Sequence, residues 1–215
     1  MAEWEVLTAG RDCARPALVA RSAVKRGFDI VVASAALLIL APLLILITGL
    51  VRLEDGGPAL FRQRRTGLGG AAFVILKFRS MTVAEDGADI QQARRGDQRV
   101  TRIGATLRRL SLDELPQLIN VLRGDMSLVG PRPHALSHDT RWSRAIPDYA
   151  LRFRARPGLT GYAQVQGLRG EVRDLDEVRA RIAADNAYID RWSLRLELSI
   201  LLRTVPLLFF DPRAY

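Results

Sequence analysis

The most constraining feature of this sequence is an apolar stretch, Ile30–Val51, whose 22 residues include no charged side chain. A straight helix rises about 1.5 Å per residue, so this stretch would reach about 33 Å, enough to cross a hydrocarbon core of about 30 Å. A stretch of this length is rarely the buried helix of a globular core. The sequence therefore predicts a helix that enters a membrane, either as a full span or as a dip into one leaflet.

Two further features bear on that choice. Pro42 lies just past the middle of the stretch, and proline removes a backbone donor and kinks or breaks a helix, although transmembrane helices tolerate it. Basic residues flank both ends, and basic flanks favour the cytoplasmic side. Both ends thus favour one side, which indicates a re-entrant helix, while a single span stays open because the bias has exceptions. These flanking residues are Arg11, Arg15, Arg21, Lys25 and Arg26 before the stretch, and Arg52, Arg62, Arg64 and Arg65 after it.

Charge and cysteine content narrow the functional class only in part. The chain has 32 basic and 23 acidic residues, a formal net charge of +9, which can attract nucleic acid, anionic lipid or phosphorylated substrates. Cys13 is the single cysteine, so an intramolecular disulfide is excluded. One cysteine with His134 and His138 also argues against a structural zinc site. We interpret both histidines as solvated loop residues without an assigned role.

The 215 residues fit one domain with modest extensions. Residues 1–20 lack the early apolar core and cleavage site of a signal peptide, and we expect a flexible lead. Residues 21–53 form the predicted re-entrant membrane helix. Residues 54–215 form the predicted cytoplasmic catalytic domain. It ends in Leu194–Phe210, an apolar stretch with interspersed charges that suits an interfacial helix.

The predicted fold class is α+β: a re-entrant helical hairpin followed by a compact, loop-rich domain with one β-hairpin and amphipathic helices. Residues rich in strand formers on either side of a glycine-containing turn predict the hairpin. Its basic residues, which include Lys77 and Arg79, form either a solvated face or a phosphate-binding one. The predicted elements are the hairpin at 59–81, a polar loop at 82–101, helices at 103–110, 113–122 and 171–191, and a loop-rich region at 127–170.

The most informative segment for chemistry contains Asp113 and Glu114. Pro116 favours the first turn of a helix, so both acidic residues lie at or beside a helix start. Ser111 and Glu114 also have the spacing of a capping box. Simple capping explains these residues. The alternative is that two adjacent carboxylates, preceded by Arg108, form a site for phosphate chemistry.

That alternative has a chemical basis. Carboxylates bind Mg²⁺, which usually also takes substrate phosphates, and an aspartate can attack phosphorus to give an acyl phosphate. Arginines and helix-terminal amides stabilise charge on the transferring group. Arg132 lies between Pro131 and Pro133 on a stiff loop, which suits a bidentate phosphate clamp. An incidental arginine on a surface turn remains the simpler interpretation of this loop.

Five sequence blocks carry a resemblance to a known family. They are Lys25–Ile30, Ile75–Met81, Leu110–Asn120, Gly124–Pro133 and Arg156–Val165. In these blocks, and over most of the chain from Lys25 to Leu208, the sequence resembles the bacterial sugar transferase family. Its members are small monotopic phosphoglycosyl transferases that start polyprenyl-linked glycan or exopolysaccharide assembly.

The resemblance implies a reaction between two substrates. A nucleoside diphosphate sugar, with uridine as the expected nucleoside, would lose its nucleoside monophosphate to Asp113, with Glu114 as partner to this nucleophile. Polyprenyl phosphate would then accept the phosphosugar. Mg²⁺ would bind the diphosphate, with Asp113 as its protein ligand. The implied phosphate-binding residues are Lys77, Arg79, Arg108 and Arg132.

The resemblance also implies a location. The apolar helix would break at Pro42 and return to the cytoplasmic face of the bacterial inner membrane, although Ala41 stands where the family often has serine. Membrane lipid is then an expected partner, nucleic acid is not, and a homo-oligomer is allowed. The sugar, the prenyl chain and the pathway are left open.

A competing hypothesis is a basic, membrane-tethered protein that binds anionic lipid or nucleic acid. It accounts for the net charge and the apolar stretch. It gives no reason for the pair Asp113 and Glu114 or for the stiff loop at Arg132, and no nucleic-acid module is recognisable. A catalytically inactive relative is the third possibility.

Overall fold

The computed structural model describes residues 15–82, 96–170 and 174–210, the last three of these without side chains. The lead predicted over residues 1–20 therefore lies outside the described residues up to residue 14. Most of the polar loop predicted at 82–101 lies outside them as well.

The long helix predicted at residues 21–53 is present, shifted by two residues along the chain. After a single turn, α1 (Leu18–Arg21), the chain forms α2 (Ala23–Asp55), a helix of 33 residues. By length and composition α2 could cross a membrane. The helix continues through Pro42, so the proline does not divide it into two helices. A proline removes one backbone hydrogen bond, and an apolar helix can absorb that loss.

The N-terminal end of α2 is bonded to the rest of the domain. Lys25 and Glu197 form a buried ion pair, and Lys25 also lies 3.8 Å from Asp29. The Asp29 carboxylate accepts hydrogen bonds from the Ser127 hydroxyl at 2.8 Å and from the Leu128 amide at 3.1 Å. This end is therefore held by polar contacts that are buried and mutually satisfied.

The last turns of α2 return to the same domain. The Glu54 carboxylate accepts a hydrogen bond from the Ile103 amide at 3.1 Å, and Asp55 pairs with Arg79. Between the two anchored ends the helix is largely uncovered, and large apolar side chains face outward. They include Leu38, Ile39, Ile45 and Leu46.

The rest of the chain builds a small α+β domain, as predicted. Strand β1 (Leu60–Thr66) pairs antiparallel with β2 (Ala72–Phe78) around a 3₁₀ turn at Leu68–Gly70, which confirms the hairpin. Helix α3 (Arg102–Arg109) matches the helix predicted at 103–110 within one residue.

The helix predicted at 113–122 begins later than expected. Leu112–Glu114 form a 3₁₀ turn, and α4 spans Gln117–Arg123 with Pro116 as its N-cap. The predicted capping box is wrong. Ser111 has φ 55°, in the left-handed region, and its side chain makes no capping bond.

The region predicted as loops over 127–170 contains short regular elements. Two three-residue strands, β3 (Ser127–Val129) and β4 (Gly158–Thr160), pair in parallel. The prolines and glycines that predicted a loop lie mostly between these elements and do not prevent them from forming. The other elements of this region are α5 (Leu136–Ala145), a 3₁₀ segment at Pro147–Arg154 and α6 (Tyr162–Val165).

Two long helices, α7 (Leu175–Asp190) and α8 (Leu194–Phe210), complete the domain. Helix α8 has the predicted bounds, and α7 lies within the helix predicted at 171–191. The main core packs the first half of α2 against α4, β3 and α8 through residues such as Ala33 and Val121. A second cluster packs Ile47 and Val51 of α2 against Phe78. The hairpin and α4 are thereby held against the membrane helix.

Candidate active site

A tight turn presents the two adjacent carboxylates. After α3 the chain reverses at Ser111, whose left-handed backbone is uncommon for a residue other than glycine. The Arg169 guanidinium donates to the Ser111 hydroxyl at 2.8 Å, which ties a distant loop to this turn. The 3₁₀ turn that follows carries Asp113 and Glu114, which are 8% and 9% exposed.

The Glu114 carboxylate is hydrogen-bonded to two cationic side chains. Its carboxylate accepts hydrogen bonds from the Lys77 ammonium at 3.0 Å and from both terminal nitrogens of Arg132, at 2.7 and 3.3 Å. Burial alone would raise the pKa of Glu114, but Arg132 and Lys77 hold that pKa well below its ordinary value. Burial lowers the pKa of Lys77 despite the adjacent Glu114. Glu114 thus serves as an anionic anchor for Lys77 and Arg132.

Asp113 has a different environment. Within the described part of the chain, no group donates a hydrogen bond to its carboxylate. Burial and the neighbouring charge of Glu114 raise the pKa of Asp113, while Lys77, Arg108 and Arg132 oppose that shift. A buried carboxylate without hydrogen bonds, close to several cations, has the properties of a nucleophile toward phosphorus.

Asn120 fixes the strand that carries Lys77. Its side-chain oxygen accepts from the Leu76 amide at 3.0 Å, and its side-chain nitrogen donates to the Val74 carbonyl at 2.7 Å. Asn120 is fully buried on α4, so it joins β2 to the helix that follows the carboxylate turn. Sequence reasoning missed this role; a polar residue among the apolar positions of a predicted helix was the available signal.

Arg132 is held from behind by a second arginine. The Arg152 guanidinium donates to the Arg132 carbonyl and, at 2.8 Å, to the Asp185 carboxylate. Arg152 is 2% exposed and also lies against Asp139 at 3.8 Å. Nothing in the sequence indicated this network, because its members come from three separate elements.

The two histidines are not solvated loop residues, and that interpretation was wrong. The His134 side chain is 10% exposed, with its Nδ1 atom 2.8 Å from the Tyr149 hydroxyl. Burial and the nearby Arg152 lower the pKa of His134 well below its ordinary value. His138 lies within α5, where its ring centroid is 5.0 Å from that of Trp142. Aromatic packing in the 127–170 region, invisible in the sequence, accounts for both positions.

The remaining predicted site residues divide into near and distant groups. Arg108 is half-buried and contributes a favourable charge at Asp113. Arg79, predicted to bind phosphate, instead bonds Asp55 and the Val51 carbonyl at the end of α2. The structure therefore brings Lys77, Arg108 and Arg132 to the carboxylate pair and directs Arg79 elsewhere. Pro42 is exposed and lies near the middle of α2.

The described residues contain no cluster of three or more acidic, histidine or cysteine side chains that could hold a metal. Mg²⁺ commonly uses one or two carboxylates together with substrate phosphates. Asp113 fits that role because its oxygens accept no hydrogen bond from the described residues, whereas the Glu114 oxygens are engaged by cations. The site thus suits a cation that arrives with the substrate.

A carboxylate pair among three cations, in a domain that carries a membrane-length helix, is the arrangement of an enzyme that acts on phosphorylated substrates. Comparison with known proteins specifies the family. The model of the bacterial sugar transferase family matches residues 20–211, and the chain belongs to this family. The prediction of a phosphoglycosyl transferase is confirmed.

Three relatives illustrate the similarity. A UDP-glucose:undecaprenyl-phosphate glucose-1-phosphate transferase of Caulobacter vibrioides is 59% identical over 191 residues, which cover 89% of this chain and 72% of the relative. A protein of the same description from Escherichia coli is 45% identical over 192 residues, but the match spans only 41% of its length. The exopolysaccharide production protein PSS of Rhizobium leguminosarum is 45% identical over 186 residues, which cover 85% of this chain and 93% of that protein.

Proposed function

We propose that this protein transfers a phosphosugar from a uridine diphosphate sugar to undecaprenyl phosphate. The descriptions of the Caulobacter and E. coli relatives support this pair of substrates and make UDP-glucose the first donor to test. The observation that carries the proposal is the contrast between the two carboxylates. Glu114 is engaged by Lys77 and Arg132, whereas Asp113 is buried beside the same cations without a hydrogen bond from the described residues.

The proposed reaction has two displacements at one phosphorus atom. In the first, an Asp113 oxygen attacks the phosphorus attached to the sugar, the phosphoanhydride bond breaks, and uridine monophosphate leaves with that electron pair. In the second, an oxygen of the lipid phosphate attacks the same phosphorus and the aspartyl–phosphorus bond breaks. The products are undecaprenyl diphosphate sugar and a regenerated Asp113 carboxylate.

The protein's cations would stabilise both displacements. Lys77, Arg108 and Arg132 surround the carboxylate turn, so negative charge on the transferring group would meet positive charge already in place. The hydrogen bonds of Glu114 keep Lys77 and Arg132 oriented without a substrate. A bound Mg²⁺ would supply further neutralisation of the diphosphate.

The membrane topology in this proposal is re-entrant, with both ends of α2 on the cytoplasmic face of the inner membrane. Its support is that both ends bond to one domain: Lys25 pairs with Glu197, and Glu54 accepts from the Ile103 amide. A straight helix of 33 residues would be about 50 Å long. A crossing would place the two ends on opposite sides of the bilayer, whereas these contacts hold both ends against one domain.

The decisive experiment is intact-mass analysis of the purified protein with UDP-glucose, Mg²⁺ and no lipid acceptor. We expect a mass increase of one hexose phosphate that disappears when undecaprenyl phosphate is added. Asp113→Asn should abolish both the adduct and uridine monophosphate release. Adduct formation by Asp113→Asn, or turnover by the unaltered protein without any adduct, would contradict the covalent mechanism.

Loss of activity in Asp113→Asn should not reflect unfolding. Since burial raises the pKa of Asp113, its ionised form costs stability, and that cost diminishes as the pH falls from the raised pKa to the ordinary pKa of an aspartate. A neutral asparagine removes this cost. We therefore expect the Tm of Asp113→Asn at neutral pH to equal or exceed that of the unaltered protein by differential scanning fluorimetry. A lower Tm would mean that Asp113 stabilises the fold.

A further inference from the structure

An open groove runs between the second half of α2 and the β-hairpin. It encloses about 710 Å³, within the range of small-molecule sites. Leu44, Thr48 and Arg52 line one side; their spacing of four residues places them on one face of the helix. The opposite side consists of Ala59, Leu60 and Phe61 from the start of the hairpin, and Ile119 of α4 contributes to the lining.

The groove combines an apolar lining with cationic side chains. Arg52 and Arg62 are exposed, and no residue in the described ranges forms a hydrogen bond or ion pair with either guanidinium. Arg79 also lines the groove, but its charge is engaged by Asp55. Two available cations on an otherwise apolar groove complement a ligand with an anionic group and a hydrocarbon tail.

The groove borders the candidate active site. Pro116 contributes to its lining and is only two residues beyond Glu114 in the chain. Leu112, which belongs to the 3₁₀ turn that carries the two carboxylates, packs in the same apolar cluster as Ala59 and Phe78, and both of these line the groove. One end of the groove therefore lies close to the carboxylate turn, and its other end lies along the membrane helix.

We infer that this groove binds the polyprenyl phosphate acceptor, with Arg52 and Arg62 attracting its phosphate and the first isoprene units lying against Leu44 and Phe61. This inference rests on the proposed function and extends it, because it assigns acceptor binding to residues separate from the carboxylate turn. A prenyl chain longer than the groove would continue along α2 into the lipid.

The kinetic test separates the two half-reactions. The double variant Arg52→Gln/Arg62→Gln should raise the KM for undecaprenyl phosphate at least tenfold, while the KM for UDP-glucose and the acceptor-free burst of uridine monophosphate stay unchanged. Arg64→Gln is the matched control, since Arg64 is exposed on the same strand face but does not line the groove. An unchanged acceptor KM, or an equal change in the donor KM, would overturn the inference.

Filling the groove provides a second test. Leu44→Trp should raise the acceptor KM, whereas Leu46→Trp, on an outward-facing position of the same helix, should not. Equal effects of the two tryptophans would exclude a role for the groove.

A binding measurement without donor distinguishes this inference from the reaction itself. A photoreactive polyprenyl phosphate should label peptides from the groove, and excess undecaprenyl phosphate should prevent that labelling. Equal competition by phosphatidylglycerol would identify a general anionic-lipid site and overturn the assignment. If labelling is specific but no nucleotide is released, the proposed reaction fails while the acceptor site stands.

Discussion

At the scale of single residues, the chemistry depends on two neighbouring carboxyl groups whose pKa values move in opposite directions. Cations that bond Glu114 directly lower its pKa, and burial beside that same charge raises the pKa of Asp113. Such divergence assigns different roles to chemically similar groups. Glu114 orients cations, and Asp113 keeps its oxygens available for a substrate.

The pH dependence of catalysis should report this coupling. Attack requires ionised Asp113, so kcat/KM should fall as the pH decreases through its raised pKa. Glu114→Gln removes a charge that raises this pKa, and the acid limb should move to lower pH. Arg108→Gln removes a charge that lowers it, and the acid limb should move to higher pH. If the acid limbs of the two variants moved in the same direction, a group other than Asp113 would control the pH profile.

At the scale of secondary-structure elements, the position of the loop that carries Arg132 depends on a close backbone contact. Strands β3 and β4 pair in parallel, and Gly130, just before Arg132, packs directly on Gly158. A Cβ atom built on Gly158 would lie 2.1 Å from the Gly130 nitrogen. Neither backbone can move aside easily, because Gly130 donates to the Thr160 carbonyl at 2.9 Å and the Gly158 amide to the Pro131 carbonyl at 2.9 Å.

A methyl group at this contact should therefore destabilise the fold. We expect Gly158→Ala to lower the free energy of unfolding by about 1–3 kcal/mol or more, as overpacking does. Chemical denaturation in detergent micelles would measure the change. Gly27→Ala is the control, because a Cβ on Gly27 has no atom within 4 Å and lies in a helix, where alanine is favoured. Equal stability of the two variants would show that the strands separate readily.

The 3₁₀ segment at Pro147–Arg154 offers a matched comparison of buried and exposed ion pairs. Arg152 is buried with Asp185, whereas Arg154 pairs with Asp190, whose side chain is 59% exposed. Arg152→Met should lower the free energy of unfolding by about 3–5 kcal/mol, because it leaves the buried carboxylate of Asp185 without its ion-pair partner. Arg154→Met should cost less than about 1 kcal/mol. Equal losses in urea denaturation would mean that the buried network contributes no more than a surface pair.

Arg152→Met should also affect catalysis through Arg132. Because the Arg152 guanidinium binds the Arg132 carbonyl, its removal loosens the loop that directs Arg132 toward Glu114. Under conditions where the variant is folded, kcat should fall and the apparent acceptor KM should change little. An unchanged kcat would show that the loop holds its position without Arg152.

At the scale of the whole molecule, the contacts between α2 and the domain support the proposed membrane topology. Both helix ends are bonded to the domain, and large apolar side chains are exposed along the helix. Exposed leucines of α8, such as Leu198 and Leu202, extend the apolar surface beyond α2. The molecule therefore has apolar surfaces suited to rest in one leaflet.

Cysteine labelling tests that topology. In a Cys13→Ser background, which lacks cysteine, Arg21→Cys and Arg64→Cys place one thiol before and one after α2. We expect a membrane-impermeant maleimide to label both thiols in inside-out vesicles and neither in intact spheroplasts. Labelling of the two positions from opposite sides would establish a full crossing and reject the re-entrant proposal.

Local patterns were enough to predict much of this molecule. The uncharged stretch, the alternation of strand formers around glycine and the helical spacing near the C terminus predicted α2, the hairpin and α8. Each depends on a period or a composition within one segment. The sequence also identified Asp113 and Glu114 as candidate site residues, because residues that are adjacent in the chain are necessarily close in space.

Tertiary structure decided what depends on distant residues meeting. The separation of roles between Asp113 and Glu114 requires Lys77 from a strand and Arg132 from a loop. Arg79 does not join them, because its guanidinium pairs with Asp55. The burial of His134 requires Tyr149 and Arg152. A sequence specifies which side chains are available, but only packing determines which of them lose water together, and desolvation is what shifts a pKa and makes a charge reactive.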